Sequence, residues 1–200
     1  MESRFVYRET VSIILANPTL PKAGAFQERL QLWYVDSVIM AVRRQAKGGN
    51  QSISLARLMQ DVRDHSALLS RKYWTGLFKG YVTEHLADGM FDNIAGAGEN
   101  HLPRAIVDAD LAAFRQIVVA IETWADKRIA HHDGGVTPIA PTFADLDAAL
   151  DEVGNTFQKY FSVITADTIA FTTPTIQYNW KKVFTQPWIA PKAPTANRPE

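Results

Sequence analysis

The chain of 200 residues contains no cysteine, so a disulfide framework, thiolate catalysis and any cysteine-based zinc or iron–sulfur site are excluded. It also lacks an excess of charge, because 21 basic residues balance 21 acidic ones. The total charge therefore gives no argument for duplex DNA or an anionic membrane as a partner. No stretch approaches the roughly 18 uncharged apolar residues of a membrane span, and the first residues do not resemble a secretory signal. We expect a cytoplasmic protein with no membrane partner.

The apolar content is ordinary for a chain that buries a core, at 46% of residues. The length corresponds to about one domain, and no internal repeat is present. We assign residues 1–190 to a single helical domain. Three prolines in the last ten residues predict a flexible tail over residues 191–200.

The charges are unevenly distributed along the chain. Between Arg43 and Gly80 there are eight basic residues against two acidic ones, and between Tyr81 and Asn155 there are four against thirteen. One interpretation is that these segments form neighbouring helices that neutralise each other. The other is that the basic segment forms an anion-binding face for nucleic-acid phosphates.

Helical periodicity dominates the chain, and strand alternation is nearly absent. The sequence predicts an all-α fold, an up-and-down bundle of four or more main helices with an irregular C-terminal arm. Helices are expected over about 2–16, 22–47, from Ser52 or Ser54 onward, and from Thr142 to Thr165. The helix over 22–47 carries two apolar stripes, one of them including Phe26 and Trp33, and is expected to be covered on both flanks. Trp180, Phe184 and Trp188 are expected to pack the arm on the bundle.

The segment from about Asp108 to His132 carries the longest apolar stripe, which includes Ile117, and its end concentrates charged and imidazole side chains. Spacing of i, i+4 and i+7 places Trp124, Arg128 and His131 along this stripe or at its margin. Burying an arginine is costly unless a counter-charge or an anion pairs with it. A histidine exchanges protons near neutral pH, and an adjacent guanidinium can hold a phosphate. Metal-free cleavage of RNA needs such groups, because the 2′-hydroxyl requires a base and the leaving oxygen an acid.

A purely structural interpretation is open as well. Basic residues near a helix C-terminus are favoured by the helix dipole, by about 0.3–1 kcal/mol each. Metal binding is not expected, because adjacent histidines point in different directions on a helix. His65, His85 and His101 show no ligand spacing to them.

The run Asp-Lys-Arg-Ile-Ala-His-His-Asp over residues 126–133, followed by a Thr-led amphipathic helix, resembles the signature of HEPN domains, specifically of the U-type abortive-infection subgroup. Further segments similar to that subgroup are 32–37 leading to Arg43, 52–55, Asn179-Trp180 and Pro187-Trp188. The resemblance covers about residues 25–190.

The resemblance implies a helical bundle, usually a homodimer, in which the motif helices of two chains line one cleft. Active members are ribonucleases without metal or other cofactor, with an arginine, four to six residues and then a histidine. Carried over, His131 falls on the family histidine, but positions 124–126 hold Trp, Ala and Asp, so the motif arginine is missing. If His132 is taken instead, Lys127 stands at the shortest spacing, and lysine lacks the planar fork of arginine.

From this resemblance, the candidate catalytic residues are His131, His132, Arg128 and Asp36, and the candidate phosphate contacts are Lys127, Arg128 and Arg43. Asp36 is expected to be buried and to orient a histidine or to pair with Arg128 or Arg43, or else to form a structural ion pair. Two functions stay open. One is an RNA-directed nuclease or toxin, and the other is a non-catalytic module that binds RNA or nucleotides or dimerises. Either would work in phage defence or with a cognate antitoxin protein.

Overall fold

The computed structural model describes residues 2–17, 24–49, 51–130, 138–170, 172 and 176–185. Over these ranges the chain is helical and contains no β-strand, so the predicted all-α fold is confirmed. The helices are α1 (Glu2–Ala16), α2 (Ala25–Ala46), α3 (Leu55–Asp64), α4 (Arg71–Gly76), α5 (Ala87–Ala95), α6 (Arg104–Trp124) and α7 (Phe143–Thr165). A π-helical segment, Ala125–Ala130, continues α6, and short 3-10 helices cover Ser66–Leu68, Glu84–Leu86 and Trp180–Thr185.

Helix α6 lies at the centre of the bundle and packs against α2, α3 and α7. Its inner face is formed by Val107, Leu111, Phe114, Val118 and Ile121, all of them buried. Ile117 lies at the edge of this stripe and is 41% exposed, so its predicted burial is wrong. The buried Tyr160 near the end of α7 donates a hydrogen bond to Asp110 near the start of α6. These two helices therefore run antiparallel.

The starts of α3 and α7 follow the signals in the sequence. The Ser54 hydroxyl accepts a hydrogen bond from the backbone N–H of Arg57. In α7, Thr142 and Asp145 form a complete capping box, in which each side chain accepts from the backbone N–H of the other. Both predicted caps are confirmed.

Only one of the two apolar stripes of α2 is covered. The buried residues of α2 are Tyr34, Val38, Ile39, Val42 and Ala46. Trp33, on the other stripe, is 59% exposed and Phe26 is 56% exposed, so the prediction that both flanks are covered is wrong. Neighbouring helices pack on the Tyr34 side, where Tyr7 of α1 and Phe143 of α7 stack against the Tyr34 ring, and no described segment buries Trp33.

The C-terminal arm rests on α1. The Trp180 ring meets the Phe5 ring edge-on, with 6.3 Å between ring centroids, and Lys181 forms an ion pair with Glu9. The predicted packing is confirmed for Trp180. Trp188 and the tail over 191–200 lie outside the described residues.

Candidate phosphate-binding site at the end of helix α6

The regular α-helix ends at Trp124, earlier than predicted, and the chain continues as the π-helical segment. A π-helix closes i to i+5 hydrogen bonds, so each residue turns the chain by less than the roughly 100° of an α-helix. Ala125 is fully buried, Ile129 packs against the core, and Arg128 is exposed. The spacing placed Arg128 on the core-facing stripe or at its margin, and in the structure it lies at the margin, where it is exposed and contacts Trp124.

Asp126 joins this segment to α2 through two cations. Its Oδ1 accepts from Arg43 Nε at 2.5 Å, and its Oδ2 accepts from Lys47 Nζ at 3.0 Å. Lys47 also pairs with Glu122 at 2.8 Å. The two cations, Arg43 and Lys47, are four residues apart, and so are the two carboxylates, Glu122 and Asp126. Side chains at this spacing lie on the same face of a helix. The result is a network of alternating charges between the C-terminal ends of α2 and α6.

The network shifts the pKa values of its members in the directions expected of ion pairs. Burial of the Asp126 carboxyl favours its neutral form, but hydrogen bonds from Arg43 and Lys47 outweigh burial and lower its pKa. Hydrogen bonds to Glu122 and Asp126 raise the pKa of Lys47. Arg43, a predicted phosphate contact, is thus already paired with a carboxylate.

Lys127 and Arg128 are the candidate residues that keep their charge available. The Arg128 guanidinium carbon lies 5.9 Å from the centroid of the Trp124 ring, a cation–π contact with a partly buried indole. No carboxylate of a described residue forms an ion pair with either cation. Two adjacent basic side chains at the end of α6 can therefore meet an anion from solvent.

Asp36 does not belong to this group. Its side chain is exposed on α2, so its predicted burial is wrong. Arg43, one expected partner, pairs with Asp126 instead, and Arg128 contacts Trp124. The turn of α2 that carries Asp36 has its inward positions occupied by Tyr34 and Val38.

His131 and His132, the predicted proton-transfer residues, lie outside the described residues. Their role stays a prediction. Among the described residues, no group of three or more histidine, aspartate or glutamate side chains is placed to hold a metal ion.

Lys47, Glu122 and Asp126 were not predicted as a group. The signal that could have found them is the charge pattern, since Arg43 and Lys47 are spaced i, i+4 on one predicted helix and Glu122 and Asp126 on another. The spacing does not show that the two helices touch at these points.

No helix within the described ranges is both long and apolar enough to cross a bilayer. Comparisons of the chain with family models, with curated proteins and with solved structures gave no match.

Proposed function

We propose that the chain is a HEPN-like, RNA-directed protein of the phage-defence or toxin–antitoxin kind, and that it contacts RNA phosphates through Lys127 and Arg128. The observation that carries the proposal is the adjacent cation pair at the end of α6, in which Arg128 is exposed and lies beside Trp124. An arginine grips a phosphate oxygen pair through its planar fork, and the neighbouring lysine adds a point charge. A cytoplasmic location is part of this proposal, because it gives access to cellular RNA.

Binding without cleavage is the form of this function that the geometry favours. Asp126 occupies one of the positions where the resemblance requires an arginine, and it pairs with Arg43 and Lys47. A carboxylate in that place repels a phosphate rather than stabilising it. The site therefore has cations for holding RNA but lacks the arginine that would stabilise charge in the transition state.

Metal-independent cleavage is the second candidate function. It is favoured by Arg128, whose charge is not consumed by an ion pair with a described carboxylate. Arg128 stands closer to His131 than the family motif requires, so in this function it substitutes for the motif arginine from a neighbouring turn. In that function His131 or His132 moves the proton and Arg128 stabilises the phosphate charge.

An RNA-binding titration tests the proposal. A double variant, Lys127→Gln with Arg128→Gln, is compared with the charge-matched control Arg29→Gln with Lys72→Gln, which removes two exposed cations elsewhere. Anisotropy of labelled single-stranded RNA is measured over a range of salt concentrations. We expect the site variant to bind more weakly and to reduce the slope of log K against log salt by roughly 0.7 for each phosphate that it no longer neutralises. Equally weakened binding in both double variants would contradict the site.

A cleavage assay in EDTA separates the two candidates. Wild-type protein, His131→Ala and His132→Ala are incubated with the same RNA. The binding proposal predicts no cleavage that depends on either histidine. Cleavage by the wild type that one of these variants abolishes would establish the second candidate in its place, and cleavage that requires added metal would contradict its mechanism.

We also propose that two copies of the chain associate and that a cognate antitoxin binds in the cell. Support for a homodimer comes from the family resemblance and from the exposure of Trp33 on the uncovered stripe of α2. Large aromatic side chains are enriched where proteins meet.

A further inference from the structure

A second candidate site lies away from the end of α6, in a cleft between α2, the start of α3 and α7. Its volume is about 370 Å³, near the lower end of the roughly 300–1,000 Å³ typical of small-molecule sites. Its walls are mainly apolar, and they include Ala41, Val42, Leu55, Leu150, Val153 and Phe157.

The shape of the cleft depends partly on α7. Gly154 is buried in the middle of that helix and presents no side chain to the wall. Phe157, on the same helix, is 40% exposed and lines this cleft.

One of the described lining residues, Arg44, carries a positive charge. Arg44 lines the cleft and is exposed, and no carboxylate of a described residue forms an ion pair with it. Its neighbours on α2 differ, since Arg43 and Lys47 are both held by Asp126. A single guanidinium beside an apolar surface complements a ligand with one negative charge and a hydrocarbon body.

Gln45 adds a second polar group to the same cleft. Its Oε1 accepts a hydrogen bond from the backbone N–H of Leu55 at 3.1 Å, which fixes the side chain at the start of α3. The group that Gln45 can still offer a ligand is its amide NH₂, a donor. Arg44 and Gln45 thus both favour a hydrogen-bond acceptor.

We propose that this cleft binds a small amphipathic carboxylate, with its hydrocarbon part between α2 and α7 and its carboxylate on Arg44. A monoanion fits better than a polyphosphate, because Arg44 is the one cation among the described lining residues. The other polar lining residues are the uncharged Gln45 and Thr172, and the rest of the wall is apolar. This site is independent of the RNA proposal.

Calorimetric titration of the full chain with decanoate and with decan-1-ol, both below their aggregation limits, tests this proposal. The two probes share a ten-carbon chain and differ in charge. We expect one decanoate per chain, bound at least about tenfold more tightly than decan-1-ol because of the charge-assisted bond to Arg44. Equal affinities for the two probes, or no saturable binding of decanoate, would overturn the proposal.

Variants locate the binding. Arg44→Gln is expected to bring decanoate down to the affinity of decan-1-ol, and Ala41→Phe, which fills the cleft, to weaken both probes. The control is Arg29→Gln, an exposed cation on the same helix about 22 Å away along its axis. If Arg44→Gln retains the preference for decanoate, or if Arg29→Gln loses it equally, the assigned site is wrong. Circular dichroism checks that each variant is folded. If Ala41→Phe does not fold, the result for Arg44→Gln alone decides whether the cleft is the binding site.

Discussion

At the scale of single residues, Asp126 determines what the end of α6 can do. It lies where the resemblance calls for an arginine, and it binds two cations that would otherwise be available to a phosphate. Its carboxyl is half-exposed, so solvent screening limits the strength of each pair. By engaging Arg43 and Lys47, Asp126 leaves Lys127 and Arg128 as the candidate residues that can meet a phosphate.

The Asp126 network predicts an acid-dependent decrease of stability. Because its pKa is lower in the folded than in the unfolded chain, the contribution is complete above the ordinary aspartate value of about 3.9 and is lost as pH falls through the folded value. Asp126→Asn should lower the free energy of unfolding by about 0.5–1 kcal/mol at neutral pH. The difference from wild type should shrink as the pH falls below the ordinary aspartate value and vanish once Asp126 is protonated in the folded chain. Urea unfolding at several pH values measures both.

Asp36→Asn is the matched control for this experiment. Asp36 is exposed on α2, and we expect its substitution to change stability by less than about 0.5 kcal/mol at any pH. A destabilisation of Asp126→Asn that persists unchanged in acid would mean that the residue stabilises the fold by something other than its charge.

At the scale of the elements, the sequence predicted the bounds of α1, α2 and α7 closely and missed those of α6, which begins at Arg104 and ends at Trp124. The range of α1 and the caps of α3 and α7 were predicted, because Ser and Thr caps act locally on the next turn. The end of α6, where the chain changes to the π-helical segment, was not. Within that segment Ala125 and Ile129 pack against the core while Arg128 is exposed.

The same contrast between local and distant causes applies to the site residues. The cations Lys127 and Arg128 could be identified from the chain alone. The engagement of Arg43 could not, because its partner is 83 residues away. Likewise, a stripe of apolar residues such as that of Trp33 shows that a face is apolar, and does not show that a neighbour exists to cover it.

The capping box of α7 provides a test at this scale. Thr142→Ala removes the side-chain acceptor for the Asp145 backbone N–H and should lower the free energy of unfolding by about 1 kcal/mol. Thr142→Ser retains the hydroxyl and should stay close to wild type. Chemical denaturation compares the three proteins, and a similar destabilisation of both variants would indicate that packing, rather than capping, is the role of Thr142.

At the scale of the whole molecule, ion pairs link the basic segment to the acidic one. The basic segment over 43–80 forms ion pairs with the acidic segment at three places. Arg43 pairs with Asp126 and Lys47 with Glu122, Arg63 pairs with Asp108, and Arg71 pairs with Asp88 and Asp92. The interpretation that these segments neutralise each other is confirmed. The opposing interpretation, a continuous anion-binding face, loses four of its eight cations to these pairs.

The proposed homodimer is tested by sedimentation at micromolar concentration. We expect wild-type protein to sediment as a dimer and Trp33→Glu as a monomer, because a carboxylate cannot be buried without a partner. Val82→Glu is the control, since Val82 is 93% exposed in the connection between α4 and α5. A monomeric wild type, or equal behaviour of both variants, would contradict association through α2.

The wide turn after Trp124 also makes this stretch sensitive to length. Each hydrogen bond of this π-helical segment spans five residues instead of the four of an α-helix, so the segment contains one residue more than a regular turn. Loss of one residue there other than Ala125 or Ile129 would remove no core side chain and would still change the direction of the cationic side chains relative to the core. The segment should thus accept many amino-acid replacements at its exposed positions and no shortening.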